Sequence, residues 1–388
     1  MTTAPVGARA ARHHGSHRDL LRTAAGPATP TARVDAIIVP TARHPAAMTH
    51  AVALGAELGC VVVALCSRYS SADAVARRAR GGGAEVVAVD VDRLPGDLLP
   101  PFATTTALAG TVFERRVDTS LKRNLGLLLA GVVGWERVAF LDDDIAVPDP
   151  LDLNRAAGLL ATHDAAALAV EGFPDNSVVC HAYRAVGGPQ ETFIGGGALV
   201  VGRSLFESFF PNVYNEDWFF LLGDRGLGSS AVVGRALQQP YDPFANDVRA
   251  RSEELGDCLG EGLFAVLDEG GSPADADEVF FDRFIADRRA LIDDIAERVR
   301  ALPRTAENER VWRALKAAGG RNRLITGRLC ADYLAAWRHD RVVWRAHLDD
   351  LHGRLRPKRR ARSAWPGLGL DKALAELGLA SRARHVAG

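Results

Sequence analysis

Apolar runs and helix-like stretches alternate over the first part of the chain. Short apolar runs at 35–40, 60–65 and 85–89 predict buried strands. Helical patterns fill the segments between them, one ending near Leu58 and the next covering Ala72–Arg80. Strand–helix alternation of this length predicts right-handed crossovers and a mostly parallel sheet, and therefore an α/β fold.

A run of three glycines follows the second of these helices, at 81–83. Phosphate-binding glycine loops precede a helix, because the ligand then meets its free N–H groups. These glycines come after a helix, so we interpret them as a C-cap and turn.

The stretch Thr119–Pro148 is the centre of the predicted domain. Its leucines recur at helical spacing until Gly134, which predicts the end of the helix. The apolar run Val138–Leu141 then predicts a strand inside a parallel sheet. Further along, Leu153–Thr162 reads as a helix and Ala165–Val170 as another strand.

From Ser252 onward the pattern predicts only helices, including Glu253–Asp268 and a long amphipathic helix whose apolar face ends at Val299. We therefore predict three regions. Residues 1–33 are a disordered tail, residues 34–268 an α/β catalytic domain, and residues 269–388 a helical C-terminal extension. The extension carries a dense basic run, Arg354–Arg362, which can contact anionic lipid or remain a solvated tail.

Composition narrows the classes of function. The 388-residue chain has a formal net charge of −1, which argues against a dedicated nucleic-acid-binding protein. Its five cysteines are scattered without metal-ligand spacing and indicate a reducing compartment. No apolar run reaches transmembrane length, so we expect a cytoplasmic protein, at most peripheral to a membrane. The histidines of the N-terminal tail do not make a recognisable metal site.

Three consecutive acids, Asp142, Asp143 and Asp144, directly follow the strand Val138–Leu141. Open α/β sheets bind ligands at the carboxyl ends of their strands. Adjacent carboxylates repel one another unless a cation joins them, and oxygen ligands suit Mg²⁺ or Mn²⁺. A helix cap or a solvated turn is the alternative interpretation.

The segment from Arg123-Asn124-Leu125-Gly126 to Phe140-Leu141-Asp142-Asp143-Asp144 resembles the core of A-fold (GT-A) glycosyltransferases, especially the large inverting family 2. The resemblance implies a GT-A type nucleotide-sugar-binding domain. It also implies that Asp142 and Asp144 hold Mn²⁺ or Mg²⁺ against the diphosphate of the donor.

The same resemblance assigns further donor-binding positions. The first strand ends in Pro-Thr followed by a basic residue, and a glycine pair precedes the strand near residue 198, where a hairpin or bulge is the alternative. The basic residues at the start of the central helix can face diphosphate or solvent. The implied donor-binding residues are Pro40, Thr41, Arg43, Arg123, Asn124, Asp142, Asp143, Gly196 and Gly197.

An acidic pair, Glu216-Asp217, opens a helix about 20 residues past these glycines. Acids are favoured at helix starts by capping and by the helix dipole, which is the structural explanation. In the inverting enzymes that the chain resembles, this motif supplies the general base, which accepts the proton of the acceptor hydroxyl. We therefore predict Asp217 as the base and Glu216 as the next candidate.

Two departures from the family pattern leave questions open. Many metal-dependent members place a histidine after the acidic helix, and here the next histidine is His339. Gln239 or Asp242 can supply oxygen instead, or Asp144 acts with phosphates and water alone. The second strand ends in Ser67-Arg68 where an acid is common, which leaves the nucleotide open.

The sequence therefore predicts a metal-dependent glycosyltransferase of the hexosyltransferase class that moves a sugar from a nucleoside-diphosphate sugar to an acceptor. The resemblance implies the inverting type. The acceptor can be a small molecule, a lipid or a glycan, and the oligomeric state stays open. The alternatives are a nucleotidyltransferase, although the loop 40–45 lacks that class's glycine-rich signature, and a scaffold protein on a retired transferase fold.

Overall fold

The structure is a computed structural model that describes residues 13–14, 17, 19–23, 29–174, 176–355 and 367–388. The strands are β1 (Arg22–Thr23), β2 (Ala36–Thr41), β3 (Val61–Cys66), β4 (Val86–Asp90), β5 (Arg137–Leu141), β6 (Ile145–Ala146), β7 (Ala165–Gly172), β8 (Ala198–Gly202), β9 (Leu222–Gly223), β10 (Gly226–Leu227), β11 (Ser230–Gln238) and β12 (Ala383–Val386). The α-helices are α1 (Thr49–Leu58), α2 (Ala72–Ala79), α3 (Ala103–Leu108), α4 (Thr119–Val133), α5 (Leu151–Leu159), α6 (Val178–Ala185), α7 (Glu216–Leu221), α8 (Asp247–Asp268), α9 (Glu278–Ala301), α10 (Ala306–Asn322), α11 (Gly327–Leu355) and α12 (Leu370–Glu376).

The chain divides into two compact units, each built from separate stretches of sequence. The unit that we call the sheet unit comprises His17–Asp175, Phe193–Tyr241 and Leu334–Gly388. The helical unit comprises Asn176–Thr192, Asp242–Tyr333 and the described residues of Met1–Ser16. The domains predicted from the sequence are contiguous, whereas these units are not. The predicted boundary at 268/269 falls inside the helical unit.

Ten strands of the sheet unit form one mostly parallel sheet, in the order β1-β11-β7-β8-β5-β2-β3-β4-β12, with β6 paired to β11. The pairs among β2, β3, β4 and β5 are parallel, while β8 runs antiparallel to both β5 and β7. The predicted α/β class with a mostly parallel sheet and C-terminal helices is confirmed.

Helix α4 packs on this sheet and is buried almost all round. Gly126 explains how closely it packs, because a Cβ there would lie 2.7 Å from Ile38 Cγ2. The polar residues at its start are buried too, so their side chains must find partners inside the protein. Those partners are the residues of the candidate site.

Two sequence predictions need correction. The C-terminal region is not wholly helical, because β12 pairs antiparallel with β4 and covers that edge of the sheet. The predicted N-terminal disorder does not apply to Arg22 and Thr23, which pair in parallel with β11. Most of the basic run lies outside the described residues.

The helical unit has an apolar core of its own. Residues of α6, α9 and α10, such as Val179, Ile295 and Leu315, pack together there.

The triple glycine 81–83 lies in a turn after α2, where Gly81 and Gly83 have positive φ, as the C-cap interpretation expects.

Candidate active site

The carboxyl ends of β2 and β5 bring the first predicted donor residues to the acidic run. These strands are parallel neighbours, so the residues that follow both of them meet at one edge of the sheet. The Thr41 hydroxyl donates to Asp143 Oδ2 at 2.7 Å. Arg43 Nη2 lies 2.6 Å from Asp144 Oδ2, and its Nε lies 3.4 Å from Asp143 Oδ1. The Arg43 side chain is 52% exposed, so this ion pair faces solvent.

Arg123 joins the two acidic motifs that the sequence singled out. Its Nη2 donates to both carboxylate oxygens of Asp142, at 3.0 and 3.1 Å. Its Nη1 donates to Glu216 Oε1 at 3.1 Å. The side chain is only 4% exposed, and its guanidinium lies 5.5 Å from the centre of the Phe210 ring. A single buried cation therefore holds the end of β5 next to the start of α7.

The glycines before β8 leave room for this arrangement. A Cβ on Gly196 would lie 2.5 Å from Arg123 Nη1, which no side chain can occupy without displacing the guanidinium. Gly197 accepts the Asp142 N–H at 2.9 Å, continuing the antiparallel pairing of β5 with β8. The structure thus gives a physical reason for glycine at 196. The predicted approach of a sugar to this backbone stays a prediction.

The two acids that open α7 have different surroundings. Glu216 forms ion pairs with Arg123 and with Arg115, whose Nη1 lies 2.8 Å from Glu216 Oε2. Burial raises the Glu216 pKa, but these arginines oppose it and the net pKa is lowered. Asp217 instead accepts the N–H groups of Gly196, at 2.6 Å, and Trp218, at 2.9 Å.

Asp217 has the pKa expected of a base working near neutral pH. Burial, followed by the neighbouring charge of Glu216, raises its pKa to about 6. Its side chain is only partly buried, whereas Glu216 is buried. Adjacent carboxylates whose pKa values are pushed apart are typical of acid–base pairs in enzymes.

Backbone geometry orients this pair. Asn215, just before α7, has φ 63°, a left-handed conformation that asparagine tolerates better than most residues. Such conformations cluster at functional sites, where surrounding structure holds them in place. The first turn of α7 follows this residue, and its Glu216 contacts Arg123.

Two polar residues of α4 have structural partners. Lys122 is buried and donates to the Thr41 carbonyl at 2.9 Å and to the Ser67 hydroxyl at 2.7 Å. The Asn124 amide exchanges two hydrogen bonds with the backbone of Phe210, at 2.8 and 2.9 Å. Lys122 is therefore not solvated, and Asn124 fixes the loop that leads to α7. Its predicted contact with the donor remains a prediction.

Two residues near the acidic pair were missed. Arg115 lies between the predicted strand at 85–89 and the stretch Thr119–Pro148, and no motif marks it. His17, from the predicted tail, lies against α7, with its ring centre 4.3 Å from that of Trp218. Its Nδ1 also accepts the Ile194 N–H at 3.3 Å. Contacts over such sequence separations leave no local pattern in the sequence.

The predicted metal ligands have different settings. Asp142 is paired with the buried Arg123, while the Asp144 carboxylate meets the half-exposed Arg43. Asp242 belongs to the helical unit, where its carboxylate accepts from Arg310 and from the Phe244 N–H. In the part of the chain that the structure describes, one group of at least three His, Cys, Asp or Glu side chains has converging ligating atoms. That group lies in the helical unit.

The donor set at the strand end still fits a hard cation. Carboxylate oxygens are the ligands that Mg²⁺ and Mn²⁺ prefer. Burial raises the pKa values of Asp142 and Asp143, and a nearby cation would lower them again. Arg43 is exposed enough to move aside, whereas Arg123 is enclosed. Of Asp142 and Asp144, Asp144 therefore has the arginine partner that is easier to displace, although the Asp142 side chain is the more exposed, at 33% against 15%.

No family model and no curated protein matches the chain. Among solved structures, it is similar to a mannosyltransferase from Pyrobaculum calidifontis in complex with GDP-Man and Mn²⁺. The identity is 16%, the match covers 82% of this chain and 89% of that chain, and the TM-score is 0.41.

Across the described residues, no helix combines the length and the apolar character needed to cross a bilayer.

Proposed function

We propose that this protein is a glycosyltransferase that uses a nucleoside-diphosphate sugar. One observation carries the proposal: the buried guanidinium of Arg123 binds both Asp142, in the acidic run, and Glu216, in the acidic pair. This contact links the acidic run, a motif of the cation-binding type, to the acidic pair, in which Asp217 has a raised pKa. A cation site and a general base are the two features that metal-dependent, inverting sugar transfer would use, so their juxtaposition supports the proposal.

Asp217 acts as the general base in this proposal. An acceptor hydroxyl must lose its proton as it attacks the anomeric carbon, and a positioned carboxylate takes it up. Attack on the face opposite the leaving diphosphate inverts the anomeric centre. A base with a pKa of about 6 is ionised at neutral pH and still basic enough to accept a proton.

The acidic run and Arg43 bind the diphosphate end of the donor. Asp144, with Asp142, would hold Mn²⁺ or Mg²⁺, which supplies charge stabilisation to the departing nucleoside diphosphate. Arg43 would exchange its exposed contact with Asp144 for the donor's phosphate oxygens, which match the geometry of a guanidinium. Arg123 keeps Asp142 oriented throughout.

The test is turnover of a panel of nucleotide sugars with Mn²⁺ and a mixture of acceptors. The variants are Asp144→Ala and Asp217→Asn, with Asp92→Asn as a control because Asp92 is an exposed loop carboxylate. We expect turnover by the wild type and the control, and its loss in both site variants. Nucleotide transfer from a triphosphate would point to a nucleotidyltransferase instead.

A second candidate is a nucleotide-sugar-binding protein without catalysis. The observation that favours it is that arginines already pair with all three acids of the run. Tight binding of a nucleotide sugar without turnover at any pH from 5 to 9 would support this candidate and contradict the enzyme.

A further inference from the structure

Three potential metal ligands converge in the helical unit. They are His13, from the N-terminal segment, Cys180 on α6 and Glu261 on α8, and their ligating atoms all lie within 4.8 Å of one another. His13 Nε2 is 3.3 Å from Cys180 Sγ and 3.6 Å from Glu261 Oε1. The side chains of His13 and Glu261 are each 3% exposed.

The two separations measured from His13 Nε2 are compatible with a tetrahedral zinc site. Zinc bonds of about 2.0–2.3 Å to nitrogen, oxygen and sulfur, arranged tetrahedrally, place neighbouring ligand atoms about 3.3–3.6 Å apart. Both measured separations from His13 Nε2 fall within that range. An imidazole, a thiolate and a carboxylate are all ligands that zinc accepts, and sulfur disfavours Mg²⁺ and Mn²⁺.

Neighbouring groups hold two of the ligands in position. Glu261 uses its other oxygen, Oε2, to accept from Arg288 Nη1 at 2.6 Å, which leaves Oε1 directed at His13. The other ring nitrogen of His13, Nδ1, is buried and lies 3.7 Å from Glu191 Oε1. A ligating histidine whose second nitrogen faces a carboxylate is a common outer-shell arrangement at zinc sites.

The charge balance also favours a cation at this place. Arg288 contacts three carboxylates, those of Glu254, Asp257 and Glu261, and all four side chains are at most 3% exposed. One guanidinium serves three buried carboxylates, and buried negative charge is costly unless a cation compensates it or protonation removes it. A divalent ion on Glu261 would supply that compensation.

We propose that His13, Cys180 and Glu261 form a zinc-binding site, with a water molecule as the fourth ligand. The site fixes His13 to helices α6 and α8. His14 is consistent with this attachment, because its Nε2 lies 2.8 Å from Asp268 Oδ2 at the end of α8. The proposal does not depend on the sugar-transfer chemistry.

Cobalt titration of the full-length, reduced, chelator-treated protein tests the site. We expect one equivalent of Co²⁺ to give a thiolate charge-transfer band in the near ultraviolet and visible bands of tetrahedral intensity. One equivalent of Zn²⁺ should then abolish both. Cys180→Ser should remove the charge-transfer band, and His13→Ala should weaken zinc binding by at least about 10-fold.

Two matched variants serve as controls. Cys60→Ser removes another buried thiol, and Asp144→Ala removes the acidic-run carboxylate, and both should leave the cobalt spectrum unchanged. Alkylation of the folded wild type, followed by peptide mass spectrometry, adds a readout that needs no variant. Zinc should slow the alkylation of Cys180 and leave that of the other thiols unchanged.

Either of two results would overturn the proposal. One is a wild-type protein with neither a cobalt–thiolate band nor zinc protection of Cys180, which would mean that the cluster is held by a hydrogen bond between His13 and the thiol. The other is a charge-transfer band that survives Cys180→Ser in a folded protein, which would place the metal on a different cysteine.

Discussion

Each compact unit contains one arginine that is buried among carboxylates, and the two clusters differ in how they are closed. Arg288 meets Glu254, Asp257 and Glu261, all of them from α8 and nearly inaccessible. Arg123 meets Asp142, whose side chain is 33% exposed, and Glu216. The first cluster is sealed, whereas the second opens to solvent on one side.

This difference in access indicates a structural role for the Arg288 cluster and allows a chemical role for the Arg123 cluster. In the Arg288 cluster, burial and the charge of neighbouring acids raise the pKa of Asp257 to about 8, yet its carboxylate is 3% exposed and held by Arg288 at 2.6 Å. In the Arg123 cluster, Asp217 has a raised pKa and remains partly accessible. A perturbed pKa therefore indicates a functional site only where a substrate can reach the group.

Replacing the proposed base should give the largest effect on activity. We expect Asp217→Asn to lower kcat by about 10²–10⁴-fold, because an amide cannot take up the proton of the acceptor. Steady-state kinetics with the best nucleotide sugar measure this, with Asp92→Asn as the control. An undiminished kcat in a folded Asp217→Asn variant would mean that another residue is the base.

Breaking the sealed cluster should give the largest effect on stability. Arg288→Ala leaves three buried carboxylates without their cation, so we expect a loss of about 3–5 kcal/mol in the free energy of unfolding. The control is Arg298→Ala, which removes a surface pair with Asp294 and should cost at most about 1 kcal/mol. Denaturant unfolding with a chelator present gives both values, and equal losses would contradict a structural role specific to Arg288.

A methyl group on Gly196 should have an intermediate effect. In Gly196→Ala the new Cβ would lie 2.5 Å from Arg123 Nη1, and the buried guanidinium cannot move without loosening its carboxylates. We expect about 1–3 kcal/mol of destabilisation together with lower turnover.

Gly197→Ala is the matched control for that change. Its Cβ would lie 3.4 Å from Asp142 Oδ2 and 3.5 Å from Ile145 Cγ1, which are smaller conflicts. Unfolding and turnover should therefore change less than in Gly196→Ala. The reverse order would mean that Arg123 is not the neighbour that excludes a side chain from position 196.

A pH-dependent difference in stability, no larger than the effect of Gly196→Ala, should follow from the raised pKa of Asp217. The folded-state pKa of Asp217 is raised to about 6, so the protonated carboxyl favours folding below the unfolded pKa and that contribution is lost as the pH rises to 6. The Asp217→Asn variant has no ionisable group at this position, so its free energy of unfolding does not fall in this way. Its free energy of unfolding should therefore rise relative to that of the wild type by about 1–3 kcal/mol between about pH 4 and pH 6.

Chemical or thermal unfolding at several pH values measures that difference. The difference should level off above the folded-state pKa, because Asp217 is then ionised in both states. A flat difference, or one that falls with rising pH, would contradict a raised pKa for Asp217.

Local patterns were enough to predict the strands and helices that surround the site. The apolar run Val138–Leu141 and the periodic leucines before it mark β5 and α4 because their burial imposes a period on the sequence. The four-residue strand β12 was missed, since so short an edge strand carries no distinctive periodicity. Residues 24–28 of the predicted tail lie outside the described residues.

The motifs of the site could be predicted, but its connections could not. Asp142, Glu216 and Gly196 lie in recognisable motifs, and Arg123 joins them across sequence separations of up to 93 residues. The second arginine on Glu216, Arg115, carries no motif at all. The cluster of His13, Cys180 and Glu261 was missed for the same reason, because three isolated residues become ligands only when distant segments meet.

The most direct test of the central proposal is a crystal structure of the protein with a nucleoside diphosphate and Mn²⁺. The account predicts the metal on Asp144 together with Asp142, the diphosphate in contact with Arg43 in place of the Arg43–Asp144 pair, and the Asp217 carboxylate facing the end of the diphosphate. A nucleotide bound elsewhere, with the Arg43–Asp144 pair intact, would contradict it.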